Sequence, residues 1–460
     1  MDQNTTAVVR LIEATELSGR DDLIAQAKRA FLDYLAALLA ARREPAVENL
    51  RQMTDEGRAS DRARLYGFAS HYLDFDDAQA NIAGHFSTVL YSALLAVAEP
   101  GDAVRDFLAA YVAGAELEGQ LGARLNPEHR RQGWHSTGTV GTLGAAAAIV
   151  RLRHLTGERA AEVLSLAGTQ SSGMAFEAGS DGKPLHAGFA AERAVTALRL
   201  VEAGLTARTN LFDDATGWLA VFTDGRRYLD AARMQREWLN PAQILEPGLW
   251  MKRHMYCSAA ICAADGAEQL YQQGLRMADV CSVTAHFPPG ADRALRYTRP
   301  QTGREGQFSV EFVIWQILQN GTVEDAYFRE NRVPQAFLSD LPKFHRAYDV
   351  PPLPLAERAV PLTAASRDGR HWQADVRDPQ GSPRRPLTVE QGQKKLERAA
   401  GQIPARDIID MTGSWPEGVL GPCLDWIEGE IFHENTESIC TRADGGADGH
   451  RPRRTGRLRQ

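Results

Sequence analysis

The chain has 460 residues, 43% of them hydrophobic and 24% charged, with a formal charge of -7 at pH 7. That length exceeds what one ordinary core supports, so two domains of soluble composition are expected. A net negative chain without basic patches interleaved with aromatics excludes a general nucleic-acid binder.

The five cysteines are odd in number and include no Cys-x-x-Cys pair, so neither a disulfide framework, a zinc ribbon nor a redox motif is expected. The opening MDQNTTAVVRLIEATE lacks the apolar stretch of a signal peptide. The longest apolar runs, 86–98 and 143–150, are too short to cross a bilayer. A cytoplasmic, reduced protein that does not engage membranes is the expectation.

From residue 22 to about 202 the pattern is mostly helical. Broad apolar faces occur at 33–40, 86–99, 105–118, 139–152, 158–166 and 189–203, with turns such as Pro100-Gly101-Asp102 between them. Helices this rich in Ala and Leu on several sides are buried among other helices. The texture changes near 275. Residues 281–287 read as a strand ending at Pro288-Pro289-Gly290, and 309–319 as a helix stopped by Asn320-Gly321. Residues 359–363 and 372–376 read as two strands joined by a turn at Asp368-Gly369. Helix returns at 389–399 and 418–432, and the tail 433–460 has the composition of a disordered segment. The expected fold is mainly α with an α+β second domain: an all-helical domain over 1–274, a lid over 275–395, and a return to the helical domain over 396–432.

Only six of the 52 basic residues are lysines, so each lysine set among small residues calls for a local reason. The first candidate site is Leu73-Asp74-Phe75-Asp76-Asp77, followed by His85. Crowded carboxylates suit proton transfer if buried, because burial raises a carboxyl pKa. Local sequence alone favours a solvated turn that caps a helix. The spacing matches neither an EF-hand loop nor His-Glu-x-x-His, and no metal is expected. His135 is the second candidate. It precedes Ser136-Thr137-Gly138-Thr139, where a helix should begin among hydroxyls and free N–H groups, a setting for a carboxylate ligand and for acid–base chemistry. The alternative is a simple cap with a satisfied histidine. The third is Lys183 with His186, after a flexible approach at Gly179-Ser180-Asp181-Gly182; an exposed loop lysine is the plain alternative. The fourth is Lys252 with Cys257. Cys257 reads either as a low-pKa thiol at a helix start or, more commonly, as a buried cysteine.

Taken in order, these segments resemble the MmgE/PrpD family, which includes 2-methylcitrate dehydratase, cis-aconitate decarboxylase and iminodisuccinate epimerase. The markers are Asp74-Phe-Asp-Asp77, His85, Gly133-Trp-His-Ser-Thr-Gly138, Lys183-Pro-Leu-His-Ala-Gly188, Lys252 followed by Cys257, and Gln307-Phe308-Ser309. Pro247-Gly248-Leu249-Trp250 and Phe212-Asp213-Asp214-Ala215-Thr216-Gly217 look most like the epimerase branch. The resemblance implies a helical domain built from both ends of the chain, an inserted α+β lid, a homodimer, and no metal or organic cofactor. It implies a pocket for small di- or tricarboxylates, with Asp74, His85, His135, Lys183 and Lys252 at the family's pocket positions. His135, His85 and Asp74 are the catalytic candidates; Lys183, Lys252, His186 and Cys257 are the substrate-binding ones.

Ala78, Cys257, Ile261 and Phe312 stand where the decarboxylase pattern has a threonine, two histidines and a tyrosine. The step from Asp74 to His85 is also one residue longer than in that pattern. These departures point away from decarboxylation of cis-aconitate. The expected activity is a lyase of dehydratase type that removes a proton next to a carboxylate. An epimerase of an iminodisuccinate-like substrate and a non-catalytic carboxylate-binding protein are the alternatives.

Overall fold

The computed structural model describes residues 3–432, except 224, 226–228, 355, 402 and 404. The disordered tail expected at 433–460 lies outside the described residues. The helical body contains α1 (Gln3–Glu13), α2 (Asp21–Ala41), α3 (Ala59–Tyr72), α4 (Ser87–Val97), α5 (Val104–Leu125), α6 (Ser136–Leu152), α7 (Gly157–Gly168) and α8 (Gly182–Glu202). Every residue of α4 and α6 is buried. Small and apolar side chains on all faces of α6 let α4, α5, α7 and α8 pack around it.

Glycines set the closest crossings. A Cβ on Gly114 of α5 would lie 2.7 Å from the Gly144 carbonyl of α6. A Cβ on Gly67 of α3 would lie 2.8 Å from Gly188 Cα, and one on Gly188 of α8 would lie 2.5 Å from the Arg64 carbonyl. The backbones of α3 and α8 therefore touch. That contact brings His71, one turn beyond Gly67, to Lys183 in the first turn of α8.

α8 starts at Gly182, seven residues before the helix expected at 189. Pro184 is tolerated because the first turn of a helix has no internal partner for its missing N–H. Lys183 and His186 are thus held on a helix rather than in a flexible loop.

The second part is a four-stranded sheet in the order β4-β3-β5-β6. β3 (Val280–His286) pairs in parallel with β4 (Phe344–Ala347) and antiparallel with β5 (Leu362–Ser366), which pairs with β6 (His371–Ala374). In the same sheet numbering, β1 (Ala78–Gln79) and β2 (Leu249–Trp250) form a separate short ribbon beside the acidic run. β5 begins three residues later than expected because Pro361 has no N–H for the ladder. β4 was not expected; Phe-His-Arg-Ala has no alternation, and Arg346 enters it by pairing with Glu311 (2.6 Å) and Asp292 (3.0 Å). α9 (Ile261–Gln272) lies on β5 and β6, and α10 (Val310–Asn320) packs on α9. Gly321, at φ +84°, ends α10 where the Asn-Gly stop places it.

α11 (Val389–Ala400) starts with a capping box, Thr388 and Gln391, and packs along α2. Its buried Lys395 donates to Asp33 (2.6 Å) and to the Phe75 carbonyl (2.7 Å), which ties this late helix to the acidic run. The architecture is mainly α with a smaller α+β part. Among the described residues no helix is long and apolar enough to cross a membrane.

Candidate active site

The acidic run follows the end of α3. Asp74 takes a left-handed backbone, φ +52°, which costs a non-glycine residue about 1–2 kcal/mol. Asp74, Asp76 and Asp77 are all buried, so the solvated capping turn favoured by local sequence does not form. Each carboxylate instead has a buried partner, which is what permits its burial. Lys252 Nζ donates to Asp74 Oδ1 (2.9 Å) and to the Asp74 carbonyl, and Lys183 Nζ donates to the same Oδ1 (3.3 Å). Asp76 Oδ2 accepts from His71 Nδ1 (2.9 Å) and lies 3.0 Å from His85 Nδ1. Asp77 accepts from the Ser87 hydroxyl and the Ser87 N–H (3.2 Å).

These contacts fix protons. Lys183 Nζ lies 2.9 Å from His71 Nε2. An ammonium only donates, so His71 is neutral and carries its proton on Nδ1, toward Asp76. Burial agrees with this, pushing the His71 pKa down to about 3. His85 Nδ1 is 2.6 Å from the Asp77 carbonyl, an atom that only accepts. Nδ1 therefore carries hydrogen, and Nε2 faces Asp74 Oδ1 at 3.6 Å.

Burial alone would push the Asp74 carboxyl up. The ammoniums of Lys183 and Lys252 outweigh it and hold Asp74 well below the usual carboxylate range. His71 and His85 do the same for Asp76. Asp77 has no cation, and burial with the neighbouring Asp33 pushes it up to about 7.

His135 is the N-cap residue of α6, and its N–H donates to the Gly173 carbonyl (3.1 Å). Its Nδ1 lies 3.1 Å from His186 Nδ1. Burial, then the nearby Lys183, push the His135 imidazole well below its usual range, and burial pushes His186 down to about 4. One of the two Nδ1 atoms carries the shared hydrogen. When His135 is the donor, its Nε2 is a lone pair able to take a proton; when His186 donates, that Nε2 is an N–H able to give one.

A cavity of about 670 Å³ is lined by Asp74, His85, His135, Lys183 and Cys257, with Phe287, Phe308 and Val360 contributed by the later half of the chain. Lys252 and His186 do not line it. Lys252 is fully buried against Asp74, and His186 stands behind His135. Cys257 is buried, and burial pushes its thiol up, so it presents a neutral SH rather than a reactive thiolate. A larger cleft of about 1190 Å³, bordered by Gln243 and Trp250, contains none of the candidate residues.

His71, Arg130, Arg293 and Arg358 belong to the site region and were not singled out from sequence, and Asp76 was named there as part of the acidic run. His71 looked like one more residue of a helical stretch, although it sits one turn before Asp74. Arg130 lies five residues before His135, which was its only signal. Arg293 and Arg358 carry no local pattern.

His71, Asp74, Asp76 and His85 place one donor atom each within 4.8 Å of one another, a spacing a cation could use. Asp74 Oδ2 and Asp76 Oδ1 are buried without a hydrogen bond, but Lys252 Nζ, 2.9 Å from Asp74 Oδ1 and 3.9 Å from Asp76 Oδ1, already supplies the charge a cation would bring, and the other donor atoms are engaged. His71 Nε2 and Asp74 Oδ1 accept from lysine ammoniums, and Asp76 Oδ2 accepts from imidazoles. The cluster reads as an ion-pair network and fits a bound cation poorly.

A mainly helical body with a smaller α+β part, sharing a cavity walled by a lysine–aspartate–histidine network, defines the class of protein. The chain belongs to the MmgE/PrpD family: the family's N-terminal domain matches residues 7–229 and its C-terminal domain matches 254–415. It is similar to the cis-aconitate decarboxylase of Homo sapiens, 24% identical over 384 residues, covering 76% of this chain and 74% of that protein. The cis-aconitate decarboxylase of Mus musculus is 24% identical over 373 residues, covering 76% and 73%. A cis-aconitate decarboxylase-like protein of Aspergillus oryzae is 27% identical over 240 residues, covering 46% and 50%.

Proposed function

We propose that the protein is a lyase of dehydratase type, acting on a small di- or tricarboxylate by removing a proton from the carbon beside a carboxylate. The observation that carries this reading is that Asp74, His85, His135 and Lys183 line one cavity. Removing that proton leaves negative charge, which spreads into the adjacent carboxylate and is stabilised by a fixed cation. Lys183 has three N–H groups and two acceptors, His71 and Asp74, which leaves one N–H for a substrate carboxylate. His135 Nε2 takes the carbon-bound proton, its Nδ1–H resting on His186. The hydroxyl on the neighbouring carbon leaves as water with a proton from Nε2 of doubly protonated His85, which is thereby left neutral with its hydrogen on Nδ1, toward the Asp77 carbonyl. The products are an unsaturated carboxylate and water. Lys252 and His186 act from behind, holding Asp74 and His135.

The relatives are named for decarboxylation of cis-aconitate. Here Ile261 and Phe312 are buried outside the cavity, Phe312 in an aromatic cluster with Trp315 and Phe337. Neither position therefore supplies a polar group to the cavity, which counts against decarboxylation by that pattern.

The test uses citrate-like hydroxy acids and aspartate-like diacids in deuterated water, with wild type and His135→Asn. Wild type should incorporate deuterium beside a carboxylate, and the variant should do so at least about 100-fold more slowly. An unsaturated product marks a dehydratase and an inverted centre an epimerase. Absence of exchange with every such substrate overturns the reading; ligand-induced stabilisation without exchange then marks a carboxylate-binding protein.

A further inference from the structure

The cavity has a second charged wall that the reaction does not use. Arg130, in a short turn of helix at Glu128–Arg131, Arg293, after β3, and Arg358, before β5, come from three separate segments and line the same cavity as His135 and Lys183. Among the described residues none of the three makes an ion pair with a carboxylate. Arg358 donates to the Ser258 carbonyl (2.6 Å) and its guanidinium lies 4.4 Å from the Trp250 ring. The carboxylates that line the cavity are Asp74, already held by two lysines, and Glu357, which is exposed, as is Arg293 at the rim; Arg130 and Arg358 are half-buried. Burial and mutual repulsion push the Arg130 and Arg358 guanidiniums down, Arg130 facing both of the others. Like charges gathered in a partly buried space without counter-charge are unfavourable unless an anion joins them. Guanidinium forks match carboxylate geometry in pairs of parallel hydrogen bonds.

We infer that Arg130, Arg293 and Arg358 form a second carboxylate subsite, which holds the substrate carboxylate remote from the reacting carbon and makes the cavity selective for polycarboxylates over monocarboxylates. This rests on the proton-abstraction reading for its link to catalysis, but the binding claim stands or falls separately. These arginines take the role that sequence gave to Lys252, whose charge is committed to Asp74.

The test is direct binding by calorimetry of citrate, tricarballylate and the terminal monoamide of tricarballylate. Wild type should bind the two tricarboxylates and bind the monoamide roughly ten- to hundredfold more weakly, the range for losing a charged hydrogen-bond partner. Arg130→Gln and Arg293→Gln should weaken tricarboxylate binding by a similar factor and shrink the preference over the monoamide. Arg130→Lys should recover part of it, since it keeps charge but loses the fork. Thermal melts of the ligand-free variants should match or exceed wild type, because each variant relieves repulsion. His135→Asn should bind as wild type does, so failed exchange with intact arginine-dependent binding condemns the catalytic reading alone. Undiminished binding of all probes by both Gln variants, or no binding of tricarboxylates by wild type at millimolar concentration, overturns the subsite.

Discussion

At the scale of single residues, Asp74 is the most constrained group in the molecule. Its backbone is left-handed, its carboxylate is buried, and one oxygen serves both Lys183 and Lys252. Without Lys252, Lys183 is the one ammonium left on the buried Asp74 carboxylate, and breaking a buried pair costs up to about 3–5 kcal/mol. Lys252→Met is therefore expected to lower stability by that order, read from urea midpoints. Replacing both groups, as Lys252→Met with Asp74→Asn, should cost less than the single change, because no buried carboxylate is then short of a counter-charge and Lys183 faces the cavity. If the single and double variants are equally stable, Lys252 is not the counter-charge that keeps Asp74 buried. Lys183 is the other counter-ion, but it lines the cavity, so its loss should show first in substrate binding.

At the scale of elements, the site exists because α3 and α8 touch. Gly67→Ala sets a methyl 2.8 Å from the Gly188 backbone, and overpacking of this kind costs about 1–3 kcal/mol. It should also separate His71 from Lys183, so activity should fall with stability. Gly392 is the control. It lies within α11 with open space around its Cα, so Gly392→Ala should stabilise by up to about 1 kcal/mol and leave activity unchanged. Equal effects from the two changes in a denaturant series would break the argument that the crossing positions the site. The contrast also shows what was legible in the sequence. Helices such as α4 to α6 announce themselves by composition, and the strand at Val280–His286 by β-branching and a double proline. Asp74, His85, His135 and Lys183 were named together on the strength of the family resemblance, since local sequence alone favoured a solvated cap for the acidic run, and all four line one cavity. His71 was not, since a histidine inside a helix gains its role only from a lysine 112 positions away. The burial of the acidic run was likewise illegible, because it depends on lysines from distant segments.

At the scale of the whole molecule, buried histidines and buried carboxyls pull stability in opposite directions with pH. His71 and His129 titrate in the folded chain at about 3 and about 4, against an ordinary value near 6.5. Below about pH 6.5 the unfolded chain takes up protons that the folded chain refuses, so their contribution is present above that pH and is lost as pH falls. Asp77 is raised to about 7, and Glu118, buried with both oxygens unpartnered, is raised as well. The folded chain keeps these protons where the unfolded chain releases them. The Asp77 contribution is present below about pH 4 and is lost as pH rises through about 7; Glu118 acts in the same direction. As pH rises past about 6.5 the term from His71 and His129 fades, while Asp77 still differs between the two states up to about pH 7. Relative to a chain without the Asp77 carboxyl, wild type should therefore lose stability between about pH 6 and 8, by at most about 1.4 kcal/mol per unit. Asp77→Asn keeps an acceptor for Ser87 and has no proton to lose, so its urea midpoint should fall less steeply over that range. Parallel pH curves for the two proteins would mean that Asp77 is ionised throughout, and that the helical body tolerates its charge beside Asp33 without a cation.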